Sequence, residues 1–345
     1  MGDSLDRTLL SKRMVLQYGR DSNMFAELQF PLGEGPFPLL FVIHGGFWLA
    51  AYDLQHISPL CAEIASCGIV TCSLEYRRVG QEGGGWPGTF LDIANGTEYF
   101  RRLLIRDRRV DVGRAAVMGH SAGGHLALWL GGSHRLPKSS ALHVDHKPWL
   151  TGVISLAGVA DLCNAWDLRL GSGAVDRLIG GSPDEYPERY SEASPIELLP
   201  MEIKQVLIHG RDDEIVPIIQ SERFFQSARA AGDKASLVPL DGVGHFELID
   251  PESEAWDAVA SSALEVLKMR QVLSRKHRFG LVRRVGHQTL FYRKKLLKNA
   301  CIRVVNPASI TAQKHTEKRL TKAHREKGKK RLFGKTAEFG NDAER

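Results

Sequence analysis

Val117-Met118-Gly119-His120-Ser121-Ala122-Gly123-Gly124-His125 is the stretch on which the reading of this 345-residue chain turns. The apolar run from Ala115 to Met118 reads as a buried strand. It stops at a Gly-x-Ser-x-Gly pentapeptide, and the helix-prone run Leu126-Ala127-Leu128-Trp129-Leu130 follows at once. Strand, sharp turn and helix in that order lift a serine hydroxyl clear of a sheet edge. Gly119 and Gly123 leave room for a strained turn and for close packing of helix on strand. Alone, the pentapeptide is weak evidence in a chain with 34 glycines. An ordinary glycine-rich turn is the bland alternative, and the neighbouring segments decide between them.

On the N-terminal side, Leu39 to Ile43 is a continuous apolar run, as expected of a strand covered on both faces, and it ends in His44-Gly45-Gly46-Phe47-Trp48. Before it, Met14 to Phe30 holds the turn signal Tyr18-Gly19-Arg20-Asp21 and predicts two short antiparallel strands. After it, Ile57, Leu60, Cys61, Ile64 and Ala65 share a helical face closed by Gly68, and Ile69 to Leu74 is the next strand. Phe90, Ile93, Ala94, Thr97, Phe100 and Leu104 mark a second helix.

Beyond the serine come a strand from Gly152 to Leu156, an irregular excursion from Asp161 to Pro200, and a strand from Gln205 to Ile208 that runs into His209 to Pro217. The strand Leu237 to Leu240 leads to Gly244-His245-Phe246, and Trp256, Val259, Ala260, Ala263, Leu264 and Leu267 stripe a final helix. Strands alternating with helices predict an α/β fold with a doubly wound, mostly parallel sheet. Ligands of such sheets bind past the C-terminal strand ends. Ser121, the loop His44 to Trp48, Asp213 and His245 all fall there.

Composition bounds the rest. Apolar and charged fractions of 43% and 25% are ordinary for a globular chain. No apolar run approaches the ~20 residues of a membrane span, and acids stand where a signal peptide carries bases. Gly2 raises N-myristoylation, but Asp6 occupies the position of the required Ser or Thr. Five cysteines without paired spacing point to a reduced, cytoplasmic protein. The net charge of +6 averages two unlike parts. From Lys268 onward there are 23 Lys and Arg against 5 Asp and Glu, which leaves 23 bases and 35 acids in the first 267 residues. The expected division is a catalytic domain over 1–268 and a basic, disordered extension over 269–345.

The order Ser121, Asp213, His245, with His44-Gly45-Gly46-Phe47-Trp48, His209-Gly210-x-x-Asp213-x-x-Val216-Pro217 and Gly244-His245-Phe246, resembles the α/β-hydrolase superfamily. It is most similar to the esterase branch of hormone-sensitive lipase and, within it, to kynurenine-formamidase-like hydrolases with a His-Gly-Gly-x-Trp signature. The likeness covers roughly residues 14 to 267 and stops before the basic extension. It implies an α/β-hydrolase fold with a minimal lid, since the excursion after Asp161 is too short for a large one. It also implies Ser121 as nucleophile, His245 as general base and acid, and Asp213 as the group that fixes the imidazole. Family spacing favours Asp213 over the adjacent Asp212. By analogy with the family's His-Gly-Gly-Gly loop, the oxyanion donors are the N–H groups of Gly46, Phe47 and Ala122. Phe47 departs from that pattern by replacing the third glycine, which keeps a backbone donor but narrows the acyl pocket.

Trp48, Trp86, His120 and Phe246 are the pocket candidates; for Trp86 and Phe246 a core position is an equal alternative. No cofactor is expected, and no metal, because His-x-x-x-His and Cys-x-x-Cys pairings are missing. Gly83-Gly84-Gly85 lacks the Lys-Ser/Thr of a phosphate loop. The expected activity is hydrolysis of a small carboxylic ester through an acyl-enzyme. A formamidase-like amide hydrolase is the close alternative, a peptidase a weaker one, and a non-catalytic ligand-binding protein the alternative of another class. The expected partner is a small ester or amide. Contact of the extension with nucleic acid or an anionic surface is the minor alternative to a solvated tail.

Overall fold

The computed structural model describes residues 12–144 and 149–269. Eight strands form one sheet: β1 (Lys12–Gln17), β2 (Phe25–Phe30), β3 (Phe37–Ile43), β4 (Val70–Leu74), β5 (Val110–His120), β6 (Gly152–Leu156), β7 (Lys204–Gly210) and β8 (Ala235–Leu240). Their order is β1-β2-β4-β3-β5-β6-β7-β8. β1 and β2 pair antiparallel, as the turn after Gln17 predicts, and β2 meets β4 antiparallel. Every later pairing is parallel. The expected doubly wound, mostly parallel α/β architecture is the one found.

Period-two alternation splits the strands between two cores. Leu39, Phe41, Ile43, Ala115, Val117, Val153 and Leu207 face α2 (Gly88–Leu104), α3 (Ala122–Gly132) and α7 (Ile219–Ala230). Their neighbours Leu40, Val42, Ala116, Met118, Ile154, Val206 and Ile208 face α1 (Ser58–Ser66) and α8 (Trp256–Val266). Helix α1 has nine residues, too few to hold a helix alone, so the burial of Leu60, Cys61 and Ile64 on the sheet sustains it.

The excursion from Asp161 to Pro200 is more regular than its sequence implies. It carries α4 (Leu162–Asp167), α5 (Ala174–Ile179) and α6 (Pro187–Ala193). Each is only two turns or less, and Gly173 and Gly180 cap α5 in left-handed geometry, so no sustained helical period reaches the sequence. Cys61 and Cys72 are buried and Cys67 half-buried, as their apolar settings imply, and none is bonded to another cysteine. No helix among the described residues is long and apolar enough to cross a membrane. The readings of the N-terminal residues 1–11 and of the basic extension, apart from its first residue Met269, lie outside the described residues.

Candidate active site

The serine turn is built by close approach. A Cβ on Gly119 would lie 2.0 Å from the carbonyl oxygen of Gly123, and one on Gly123 would lie 2.1 Å from that of Ile43. Only glycine at both positions lets α3 start directly against β3 and β5. Ser121 sits at the junction with φ 57° and ψ −121°, a conformation an L-residue holds only when its surroundings impose it. Its N–H donates to the Leu156 carbonyl at 2.8 Å, and its own carbonyl accepts from His125 N–H at 3.0 Å.

The loop after β3 lies beside this turn: a Cβ on Gly45 would be 3.0 Å from Ser121 Cβ. Gly46, Phe47 and Trp48 follow with φ of 110°, 51° and 56°. Three successive left-handed residues need outside support, and buried polar groups supply it. His44 bridges its neighbour's carbonyl (Nδ1 to Gly45 O, 2.8 Å) and Glu75 (Nε2 to Oε1, 2.9 Å). Tyr76 Oη donates to the His44 carbonyl at 2.9 Å, and Glu75 also accepts the Leu54 N–H and pairs with Arg78 at 3.2 Å. Burial works to raise the Glu75 pKa, but His44, Arg78 and the Leu54 N–H outweigh it and hold the carboxyl below its usual range.

Trp48 is 1% exposed. Its indole N–H donates to His125 Nδ1 at 3.1 Å, while His125 Nε2 meets the Ala193 carbonyl at 3.0 Å. These partners fix His125 as the neutral Nε2–H tautomer, and burial pushes its pKa down to about 4. Trp48 is therefore a core side chain bolting the glycine loop to α3, not an open pocket wall. Trp86 is half-buried and sets its ring against Phe90 at 5.8 Å, with Phe90 in turn 5.6 Å from His125. The ring of Phe47 turns the other way: a Cβ on Gly171 would reach it within 2.5 Å, so it packs on the excursion between α4 and α5.

The loops after β7 and β8 bring the remaining groups. Asp213 Oδ1 accepts the N–H groups of Ile215 and Val216 at 2.9 and 2.8 Å. Its Oδ2 accepts from His245 Nδ1 at 2.6 Å and lies 3.4 Å from His209 Nε2. Burial opposes ionisation of Asp213, yet the hydrogen bonds from His209 and His245 prevail and hold its carboxyl well below the usual range. Asp212 next to it is exposed. With Nδ1–H given to a carboxylate, His245 keeps its lone pair on Nε2, where it can accept a proton.

His120, one residue before Ser121, lies under His245 with ring centroids 4.5 Å apart, and its Nε2–H donates to the His245 carbonyl at 3.0 Å. Burial and the nearby His245 push its pKa well down, so it stays a neutral brace. Phe246 is 59% exposed with its ring 5.3 Å from that of His245. Two pocket candidates thus stand at His245, and the two tryptophans belong to the aromatic packing around His125 and Phe90. Glu75, Tyr76 and His125 are the supporting residues that the sequence did not single out.

Comparison with known proteins gives the family and the fold of the chain. The BD-FAE family model matches residues 28–227. Esterase LipC of Mycobacterium tuberculosis (strain ATCC 25618 / H37Rv) is 27% identical over 270 residues, covering 71% of this chain and 62% of LipC. The probable carboxylic ester hydrolase LipM of the same organism is 24% identical over 232 residues, covering 66% of this chain and 53% of LipM. The chain thus spans between half and two thirds of these relatives. Among solved structures, a truncated carbohydrate esterase from gut microbiota superposes with a TM-score of 0.66 at 20% identity, over 76% of this chain and 99% of that one. At that identity the likeness is one of fold.

Proposed function

The chain belongs to the BD-FAE family and has the α/β-hydrolase fold, and on that premise we propose that it is a serine hydrolase cleaving small carboxylic esters. Ser121 Oγ attacks the acyl carbon as its proton passes to His245 Nε2. The imidazolium then protonates the leaving alkoxide, and water, deprotonated by His245, releases the acid and restores the serine. Asp213 holds the imidazole in the required tautomer and stabilises its charged form. The N–H groups of Gly46, Phe47 and Ala122 receive the tetrahedral oxyanion, where the loss of one donor typically costs ~100-fold or more in rate. Activity is assigned to residues 1–268, and the four cysteines among the described residues, none bonded to another, favour a reducing, cytoplasmic setting.

The observation that carries this proposal is the buried 2.6 Å contact of Asp213 with His245, whose ring rests on the residue preceding the strained Ser121. The ester hydrolases among its relatives support the substrate class. The experiment is a panel of short-chain aryl esters and N-formyl aryl amines, run on the wild-type chain and on Ser121→Ala. Ester turnover that falls by about 10⁴-fold or more in the variant is expected. Turnover confined to the formyl amines would move the assignment to amide hydrolysis, and unchanged turnover in Ser121→Ala would remove the mechanism.

A further inference from the structure

The last turn of helix α2 and the turn after it read Arg101-Arg102-Leu103-Leu104-Ile105-Arg106-Asp107-Arg108-Arg109, a segment the ester chemistry does not use. It lies at the start of β5, the sheet edge opposite Ser121. Leu103 and Ile105 are 40% and 59% exposed, and Arg102, Arg106 and Arg108 are exposed beside them. Glu98 pairs with both Arg101 and Arg102 and Asp107 with Arg109, but Arg106 and Arg108 pair with no carboxylate among the described residues. Next to them is a cavity of about 420 Å³ lined by the apolar side chains of Met14, Leu16, Leu28, Phe30, Leu103 and Leu104 and by Arg106, Arg108, Arg109 and the Arg109-paired Asp107. A third exposed aliphatic, Leu32 at 62%, is in the 31–36 loop, whose Gly35 abuts the Arg109 backbone.

We propose that this edge is a docking surface for a bilayer containing anionic phospholipid. Arginines flanking outward-facing aliphatics match the two layers of a lipid interface, phosphate above and acyl chain below. Nucleic acid would use the arginines but leave Leu103, Ile105 and the apolar cavity idle. The sequence from Lys268 onward, with 23 Lys and Arg against 5 acids, adds a second cationic signal. Weak surface signals hold a protein stably when two act together. Docked this way, the Ser121 edge faces away from the bilayer and meets its substrate from solution.

The test is co-sedimentation of the full chain with vesicles of phosphatidylcholine alone and of phosphatidylcholine with phosphatidylserine. Binding to the anionic vesicles only is expected. Arg106→Glu with Arg108→Glu should weaken it more than about ten-fold, and Leu103→Ser with Ile105→Ser by a similar factor. Aryl ester turnover in solution, read on the same samples, should stay at the wild-type level in both variants, which shows that they are folded and keeps this test separate from that of the mechanism. No binding to anionic vesicles overturns the proposal. So does vesicle binding indifferent to both double variants, which leaves the extension acting alone. Vesicle binding lost with the arginines but unchanged by the serines, together with tight binding of an RNA oligomer, assigns a polyanion partner and also overturns it.

Discussion

Asp213 Oδ2 and His245 Nδ1 are 2.6 Å apart in a buried site, and the other oxygen of the carboxylate is held by two backbone N–H groups of its own loop. The carboxylate thus has one orientation, and that orientation selects the imidazole tautomer with its lone pair on Nε2. Asp213→Asn should lower kcat by about 10⁴-fold, because an amide can stabilise the wrong tautomer. Asp212→Asn, at an exposed side chain, should leave kcat unchanged. Steady-state kinetics on one aryl ester compare the two; equal losses would mean that the neighbouring acids share the role.

Gly123→Ala places a methyl 2.1 Å from the Ile43 carbonyl and 2.5 Å from that of His44, both of them backbone. Neither can yield without parting α3 from β3, so the expected loss is more than about 4 kcal/mol, seen as insoluble expression or a collapsed melting transition. Gly232→Ala is the control. Its φ is +88° but nothing lies within 4 Å, so only the backbone conformation is strained, at about 1–2 kcal/mol. Similar melting temperatures for the two variants would refute the close-approach account of the serine turn.

Trp48→Phe keeps the aromatic bulk and removes the donor to His125 Nδ1. A buried ring nitrogen left without its partner costs about 1–3 kcal/mol. Chemical denaturation should show that loss with an unchanged m-value. If Trp48 instead lined an open pocket, stability would hold and KM would move.

Stability should fall steadily from neutral pH into acid. Between about pH 6.5 and 4 the unfolded chain takes up a proton that buried His125 refuses, which removes about 3 kcal/mol of stability over that interval. Buried His120 acts in the same sense. Below about pH 4 the depressed carboxyls of Asp213 and Glu75 add a further loss, since unfolded acids protonate there before the folded ones. His125→Gln, which can still accept from Trp48 and donate to Ala193, should flatten the slope between pH 6.5 and 4. Melting temperatures across that range measure it, and an undiminished slope would exclude His125 as its source.

Much of the framework was legible in one dimension. β3, the second half of β5, β6 and β7 are covered on both faces, so they appear as largely apolar runs, and the loops after them carry Ser121 and Asp213 by position alone. Glu75 was not legible, because an acid at the end of a strand looks like a surface residue until its partners converge. A signal existed: parallel register pairs Ile43 with Leu74, so His44 and Glu75 hold equivalent places on neighbouring strands. Trp48 shows the opposite limit. An aromatic in a loop suits a pocket or a core equally well, and His125, 77 positions away, decides between them.

Covalent labelling tests the central claim most directly. The full chain is reacted with an aryl alkylphosphonate and the modified residue is located by peptide mass spectrometry. A single adduct on Ser121 is predicted, formed at a rate that drops by orders of magnitude in His245→Ala. Labelling at any other residue, or at Ser121 with an unaltered rate in His245→Ala, would contradict it.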